Sequence, residues 1–191
     1  MRARAGGHSW DCGISLIKIK TLFLHRPSGA VFFSMKYRRL TREQLEELHQ
    51  EFINFLATQS ISSVEWEQLK EEKPRVAEEE LDVFSDLVWE GVLTKVEYLE
   101  NISAGQMHLF HLAEKEMKLI SVKVMNPGAD LTTPEGFAWF RKNWQSDFVE
   151  YLVASKAYTE DKNLDKFRLI EQGAVITRGE LYRWFDELIE H

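Results

Sequence analysis

The sequence has little cysteine and lacks the motifs of several common enzyme classes. Its one cysteine, Cys12, cannot form a disulfide within the chain, which is typical of proteins from a reducing compartment. The 191 residues contain no Gly-rich phosphate loop, no G-x-S-x-G elbow and no H-E-x-x-H motif. These absences argue against dinucleotide binding, serine nucleophiles and zinc hydrolysis, and the cysteine usage predicts a cytoplasmic protein.

Long apolar runs are also missing. The longest candidate, residues 14–25, is interrupted by Lys18 and Lys20, whereas a membrane-spanning helix needs about 20 predominantly apolar residues. The same stretch lacks the unbroken apolar segment and small-residue cleavage site of a signal peptide. We therefore expect no membrane segment.

Positive charge is scarce outside the N-terminal region. The formal net charge of the chain is −7. Residues 1–34 contain five basic residues and one acid, so residues 35–191 carry a net charge of −11. A body this acidic repels phosphate backbones, and we expect no nucleic-acid partner.

The first 34 residues differ from the rest in pattern as well as in charge. They mix glycine, arginine and aromatic residues without a period, and regular patterning begins at Met35. We interpret residues 1–34 as a non-native or disordered extension, with translation expected to start at Met35, and residues 35–191 as one globular domain. The alternative is a basic arm that binds a membrane surface or a partner, because residues 17–25 alternate as a short strand does.

Capping signals mark two helix starts in the first half of this body. Thr41 with Gln44 forms a capping box, and the helix that follows is predicted to run to about Thr58. Ser62 with Glu65 forms a second box, which opens a shorter helix. Residues 40–73 are therefore predicted to be almost entirely helical.

Residues 74–91 are predicted to form a central helix with one apolar and one acidic side. Pro74 suits a first helical turn and Gly91 is the predicted end. Phe84 lies in the middle of the apolar side, at the spacing of a helix that packs along one face. We expect this side to face the core.

After Gly91 the hydrophobic period changes from helical to alternating. Residues 95–100, 107–112 and 117–124 alternate and are predicted to form a three-stranded antiparallel meander. Residues 148–157 fit either a strand or a helix.

The C-terminal third again carries helix signals. Thr133 precedes a helix that starts with proline, residues 164–172 form a helix that Gly173 ends, and Thr177 with Glu180 caps the last helix. The predicted fold class is α+β, with N-terminal helices, the small meander and a C-terminal group of helices around one core.

Three blocks of the body together resemble a known family. They read MKYRRLTREQLEELHQEFINFLATQSI, VAEEELDVFSDLVWEGVL and ITRGELYRWFDELI. From Met35 to the C-terminus the chain is similar to a small bacterial family of unknown function from the Bacteroidetes phylum. Because that family has no established activity, the resemblance implies no catalytic or binding residue.

The acidic side of the central helix is the strongest candidate for a metal site. Glu79, Asp82 and Asp86 have the spacing i, i+3, i+7, and hard cations such as Mg²⁺ prefer carboxylate oxygens. Paired acidic helices would suit a magnesium-dependent hydrolase of a nucleotide or phosphate ester, which is the alternative function. Acidic helix faces are usually solvated, and no nucleotide pocket accompanies this one. We therefore predict no metal, no other cofactor and no catalytic residue.

Two other groups imitate metal sites. Asp161 opens a D-x-N-x-D sequence, but Lys166 stands where a calcium loop requires glycine, so we interpret it as a helix-capping turn. His108 and His111 are three apart in a predicted strand and therefore point to opposite faces. Neither group is predicted to bind a metal.

Trp89 is the remaining residue of interest, because it falls on the acidic side of the central helix. Either the sheet or the C-terminal hairpin covers it, or it contacts a protein partner, a role in which tryptophan is favoured. With enzyme motifs missing, we predict a cytoplasmic, non-enzymatic protein that acts through contacts with an unknown protein partner.

Overall fold

The computed structural model describes residues 35–189, so the interpretation of residues 1–34 lies outside the described residues. Judged by which backbone positions lie close together in space, the chain divides into two compact units. One ends at Val92 and the other starts at Leu93. The described helices are α1 (Arg42–Glu47), α2 (His49–Thr58), α3 (Ser63–Glu72), α4 (Pro74–Lys95), α5 (Pro134–Asn143), α6 (Lys162–Glu171) and α7 (Glu180–Ile189). The described strands are β1 (Tyr98–Ser103), β2 (Gln106–Leu112), β3 (Glu116–Val124), β4 (Val149–Ala157) and β5 (Val175–Ile176). The fold class is α+β, as predicted.

Both capping boxes of the first unit are confirmed. The Thr41 side chain accepts a hydrogen bond from the backbone of Gln44, whose own side chain bonds back to the Thr41 N–H, and Ser62 and Glu65 do the same. The helix that follows Thr41 is not continuous, however. Leu48, with φ −98° and ψ 20°, separates α1 from α2. The interruption is confined to this residue's dihedral angles, because its N–H still bonds four residues back.

The central helix α4 is longer than predicted. Phe84 is only 2% exposed, which confirms the helical phase, and its ring lies 5.1 Å from that of Phe52 and 5.4 Å from that of Phe55. Gly91 does not end the helix. A glycine costs a helix about 1 kcal/mol, but the next turn buries Leu93 completely, which favours continuing to Lys95. No helix between residues 35 and 189 is long and apolar enough to cross a membrane.

The second unit contains a five-stranded antiparallel sheet in the order β4-β3-β2-β1-β5. The predicted meander is present as β1, β2 and β3, but its first strand starts at Tyr98 and not at residue 95, because α4 runs to Lys95. Limiting the sheet to three strands was wrong. Residues 149–157 form an edge strand, and β5 is too short, at two residues, to produce an alternating pattern.

The core of the second unit lies between one face of the sheet and two helices. Phe140 of α5 and both Tyr182 and Phe185 of α7 are buried against the strands. The sheet residues buried in this cluster are Met107, Leu109, Ile120, Val122, Val124 and Val149. These aromatic and aliphatic side chains, together with Met107, provide the apolar area that holds the helices on the sheet.

The C-terminal helix signals are confirmed except the last. Thr133 and Asp161 cap α5 and α6 through their side chains, and Gly173 adopts a φ of 95°. The capping box at Thr177 was wrong, since α7 begins only at Glu180. The residue before it, Gly179, has a φ of 72°, and a Cβ atom there would lie 2.2 Å from the Tyr98 ring. This backbone turn sets the start of the helix.

Candidate functional site

The acidic side of α4 binds the segment that precedes α1. We call residues 36–40 the docked segment. The Asp86 carboxylate accepts the backbone N–H groups of Lys36 and Tyr37 at 2.8 and 2.9 Å. Glu90 accepts the Lys36 ammonium at 3.0 Å and the Tyr37 hydroxyl at 2.6 Å. Burial and the bond to Glu90 raise the pKa of the Tyr37 hydroxyl, which therefore stays a donor.

The other candidate metal ligands also have protein partners. Asp82 accepts a hydrogen bond from Arg39 at 2.5 Å, and this bond is the main cause of the raised pKa of the Arg39 guanidinium. Glu79 pairs with Arg75, one turn earlier on the same exposed face, at 3.2 Å. Among residues 35–189, no group of three or more His, Cys, Asp or Glu residues is placed to hold a metal ion. In this structure the carboxylates bind cationic side chains and backbone N–H groups.

Trp89 lies under the docked segment. Its side chain is only 2% exposed, its indole N–H donates to the Arg38 carbonyl at 3.0 Å, and the Arg38 guanidinium lies 5.4 Å from its ring centroid. Leu40 completes the attachment by donating its N–H to the Ser85 hydroxyl. The sequence pattern suggests the sheet or the C-terminal hairpin as the cover of Trp89 and does not reveal this segment. The basic residues directly before the acidic helices were the signal that could have identified it.

Lys166 occupies the position at which a calcium loop requires glycine. Its side chain is buried at the C-terminal end of α4. Its ammonium donates to the carbonyl oxygens of Leu93 and Val96 at 2.6 and 2.8 Å. Burial lowers the pKa of this lysine to about 8. The last carbonyls of a helix lack helical partners, and a cation suits the negative end of the helix dipole. Lys166 therefore caps α4.

The most distinctive surface of the second unit is the outer edge of β4. This strand has nine residues, against about 5–6 in a typical strand. It pairs with β3 on one side, and within the part of the chain that the structure describes no strand pairs with its other side. Leu152 and Val153, in the middle of the strand, are 61% and 57% exposed. The opposite edge of the sheet is the two-residue β5, which offers little to pair with.

Hydrogen bonds next to β4 show which of its backbone groups are directed outward. Phe148 accepts a bond from the Met125 N–H at 2.8 Å, and the Val149 N–H is directed away from β3 to the Ser146 carbonyl. Backbone groups of successive residues in an antiparallel strand point to alternate sides. Even-numbered residues of β4 therefore bond to β3. Odd-numbered residues, including Val153, direct their N–H and C=O groups toward the open edge.

Among residues 35–189, the β4 edge also lacks the usual protection against strand pairing. Natural sheets cover or shorten their edges, or place proline, bulges and several charges on them. β4 contains no proline or glycine, and its charged residues are Glu150 and Lys156. The strand is held in place by Tyr151, whose hydroxyl donates to the Trp144 carbonyl and whose ring lies 5.9 Å from that of Phe185. Within the described part of the chain, the outer side of β4 therefore stays open to pairing with another strand.

Comparison with known proteins identifies a family and nothing more specific. Residues 35–190 match a model described as "Family of unknown function (DUF6495)". No curated protein and no solved structure matches the chain. No activity or ligand is transferred from a relative.

Proposed function

The chain belongs to the DUF6495 family, which has no known function, and we propose that it is a non-enzymatic protein that acts through protein contacts at the open edge of β4. The observation that supports this proposal is a nine-residue edge strand with exposed apolar side chains at its centre. Its partner would extend the sheet by one strand.

Strand addition suits the chemistry of this edge. In this binding mode main-chain hydrogen bonds supply affinity, and the side chains that alternate along the strand supply specificity. The outward N–H and C=O groups of the odd-numbered residues supply the bonds. Leu152 and Val153 project from opposite faces of the sheet, so a bound strand would be contacted by apolar side chains on both.

The setting that we propose is the cytoplasm of a bacterium. A single cysteine in 191 residues suits a reducing compartment. The bacterial origin is proposed from the resemblance of the three sequence blocks. Locating the tagged protein in fractionated cells of its source tests the cytoplasmic location.

The proposed function is tested by affinity capture with a proline substitution in β4. Val153→Pro removes an outward N–H and places a ring on the open edge, while it leaves the bonds between β3 and β4 in place. Ser63→Pro is the matched control, because residue 63 is the first residue of α3 and its N–H has no partner within the helix.

Wild-type and Ser63→Pro baits should capture the same proteins from an extract of the source cells, and Val153→Pro should lose them. Circular dichroism checks that each bait is folded. If Val153→Pro does not fold, Leu152→Asp takes its place. This substitution replaces an exposed apolar side chain of the edge with a charged one and keeps every backbone N–H group. Capture of the same proteins by the β4 variant and the wild type would contradict the proposal.

A further inference from the structure

We infer that the strand that pairs with the β4 edge is β4 of a second copy of this chain, antiparallel and centred on Val153. The inference rests on the proposed function and names its partner. Two copies would then form a ten-stranded sheet that continues across a twofold axis.

The direction of the backbone groups restricts how two copies of β4 can pair. The outward groups belong to odd-numbered residues, so in any antiparallel pairing odd residues must face odd residues. Centring the pair on Val153 meets this condition, with Val153 opposite its own copy and Tyr151 opposite Ser155. The twofold axis also places Ser155 opposite Tyr151 of the partner strand. The central residues therefore form three facing pairs, each of which exchanges two hydrogen bonds.

The same register uses the whole strand. With Val153 at the centre, Val149 at one end faces Ala157 at the other end of the partner strand. Moving the centre by one residue leaves two residues at one end of each strand without a facing strand residue. Several registers satisfy the backbone, and among them the one centred on Val153 has the largest overlap.

Charge complementarity supports this register independently. Centring on Val153 places Glu150 opposite Lys156 of the partner strand, and the twofold axis places Lys156 opposite the partner's Glu150. In an antiparallel pairing centred on Leu152, Glu150 would face Ala154 instead. No other antiparallel register of two β4 strands brings these two charges opposite each other. Opposite charges that face each other across strands stabilise the pair, whereas like charges destabilise it.

The exposed apolar side chains are also matched. On one face of the sheet Leu152 would lie opposite Ala154 of the partner strand, a large side chain beside a small one. On the other face the two Val153 side chains would meet at the axis. These contacts cover Leu152 and Val153, the two most exposed large apolar side chains of β4. A contact that uses the same patch on both copies closes as a dimer.

Disulfide trapping in the full chain tests the register. In a background with Cys12→Ser, Val153→Cys would bring two cysteines opposite each other with Cα atoms about 5.5 Å apart, which a disulfide can bridge. Ser155→Cys is the matched control on the same face of the same strand. Its copy would be displaced by four residues, about 13 Å along the strand, and would be out of reach.

We expect the purified Val153→Cys chain to form a covalent dimer under mild oxidation and the Ser155→Cys chain to stay monomeric. Equal trapping of both variants would overturn the register, and no trapping of Val153→Cys would overturn the self-pairing. Trapping that occurs only after removal of residues 1–34 would assign the edge to that segment and overturn the proposal.

Charge exchange tests the same pairing without a covalent bond. Glu150→Lys alone and Lys156→Glu alone each place like charges opposite each other twice, so each should weaken the dimer by roughly tenfold or more in sedimentation velocity. Mixing the two variants restores both opposite pairs, and a heterodimer should form with about wild-type affinity. Failure of the mixture to associate better than either variant alone would overturn the inference.

The results separate this inference from the proposed function. A wild-type chain that stays monomeric, together with a Val153→Pro bait that loses a captured protein, would show that β4 binds a different protein. The self-pairing would then be wrong and the proposed function would stand. A monomeric chain whose β4 variant captures the same proteins as the wild type would refute both.

Discussion

Asp86 anchors the docked segment to α4, and its removal is the most informative perturbation of the first unit. Its carboxylate accepts the backbone N–H groups of both Lys36 and Tyr37. In Asp86→Ala these two donors lose their acceptor, while Glu90 still bonds to both side chains. The substitution therefore tests whether the backbone of the segment is held specifically.

The size of the effect follows from the two hydrogen bonds. A hydrogen bond to a charged group contributes about 1.5–3 kcal/mol to stability. When the acceptor is removed, a donor that water can reach bonds to water instead, and the loss of stability is smaller. Lys36 is exposed and Tyr37 is buried, so water can reach the first N–H more readily than the second. We expect Asp86→Ala to lower the free energy of unfolding by about 2–4 kcal/mol.

Urea denaturation measures this loss, and hydrogen exchange of residues 36–40 localises it. The matched control is Glu79→Ala, on the same helix, which breaks only the exposed pair with Arg75 and should change stability by no more than about 0.5 kcal/mol. In Asp86→Ala the amides of the docked segment should exchange faster than in the wild type. Equal stability of the two variants, with unchanged exchange, would refute the role of Asp86 as an anchor.

Three further predictions concern the core, the buried lysine and the acidic face. Phe84→Ala should cost about 3–5 kcal/mol in urea denaturation, because it empties a buried aromatic site; a loss below about 1 kcal/mol would contradict this. Burial lowers the pKa of folded Lys166 from 10.5 to about 8, so the unfolded chain binds more protons between these values. The stability of the wild type relative to Lys166→Met should therefore rise with pH across that window, and a flat difference would exclude the pKa shift. Millimolar Mg²⁺ should not raise the melting temperature beyond the effect of NaCl at equal ionic strength, because Asp82 and Asp86 already bind the docked segment; a magnesium-specific rise that Asp82→Asn abolishes would contradict this.

Local signals predicted local structure well. The capping boxes at Thr41 and Ser62 and the cap at Thr133 involve residues three apart in sequence, so the pattern contains all the partners. Gly91 misled the prediction because the burial of Leu93, which outweighs the helix cost of glycine, depends on tertiary packing. Long-range context decided this helix end.

The candidate sites were harder to predict, and for a physical reason. The acidic side of α4 is satisfied by donors about fifty residues earlier in the chain, such as the Tyr37 N–H bonded to Asp86. Helical periodicity carries no information about that pairing. Residues 148–157 were ambiguous because an edge strand exposed on both faces keeps no clear alternation of buried and exposed positions. The exposure of both faces makes β4 a candidate docking site, and it is also the reason that the sequence pattern did not identify β4 as a strand.

Residue-resolved hydrogen exchange along β4, measured at high and low protein concentration, tests the pairing of its open edge most directly. The amides of Leu152 and Ala154, which bond to β3, should be protected at both concentrations. The amides of Val153 and Ser155 should be protected only at high concentration, where two copies of β4 pair, and should exchange rapidly on dilution. Rapid exchange of the Val153 amide at every concentration would contradict the pairing.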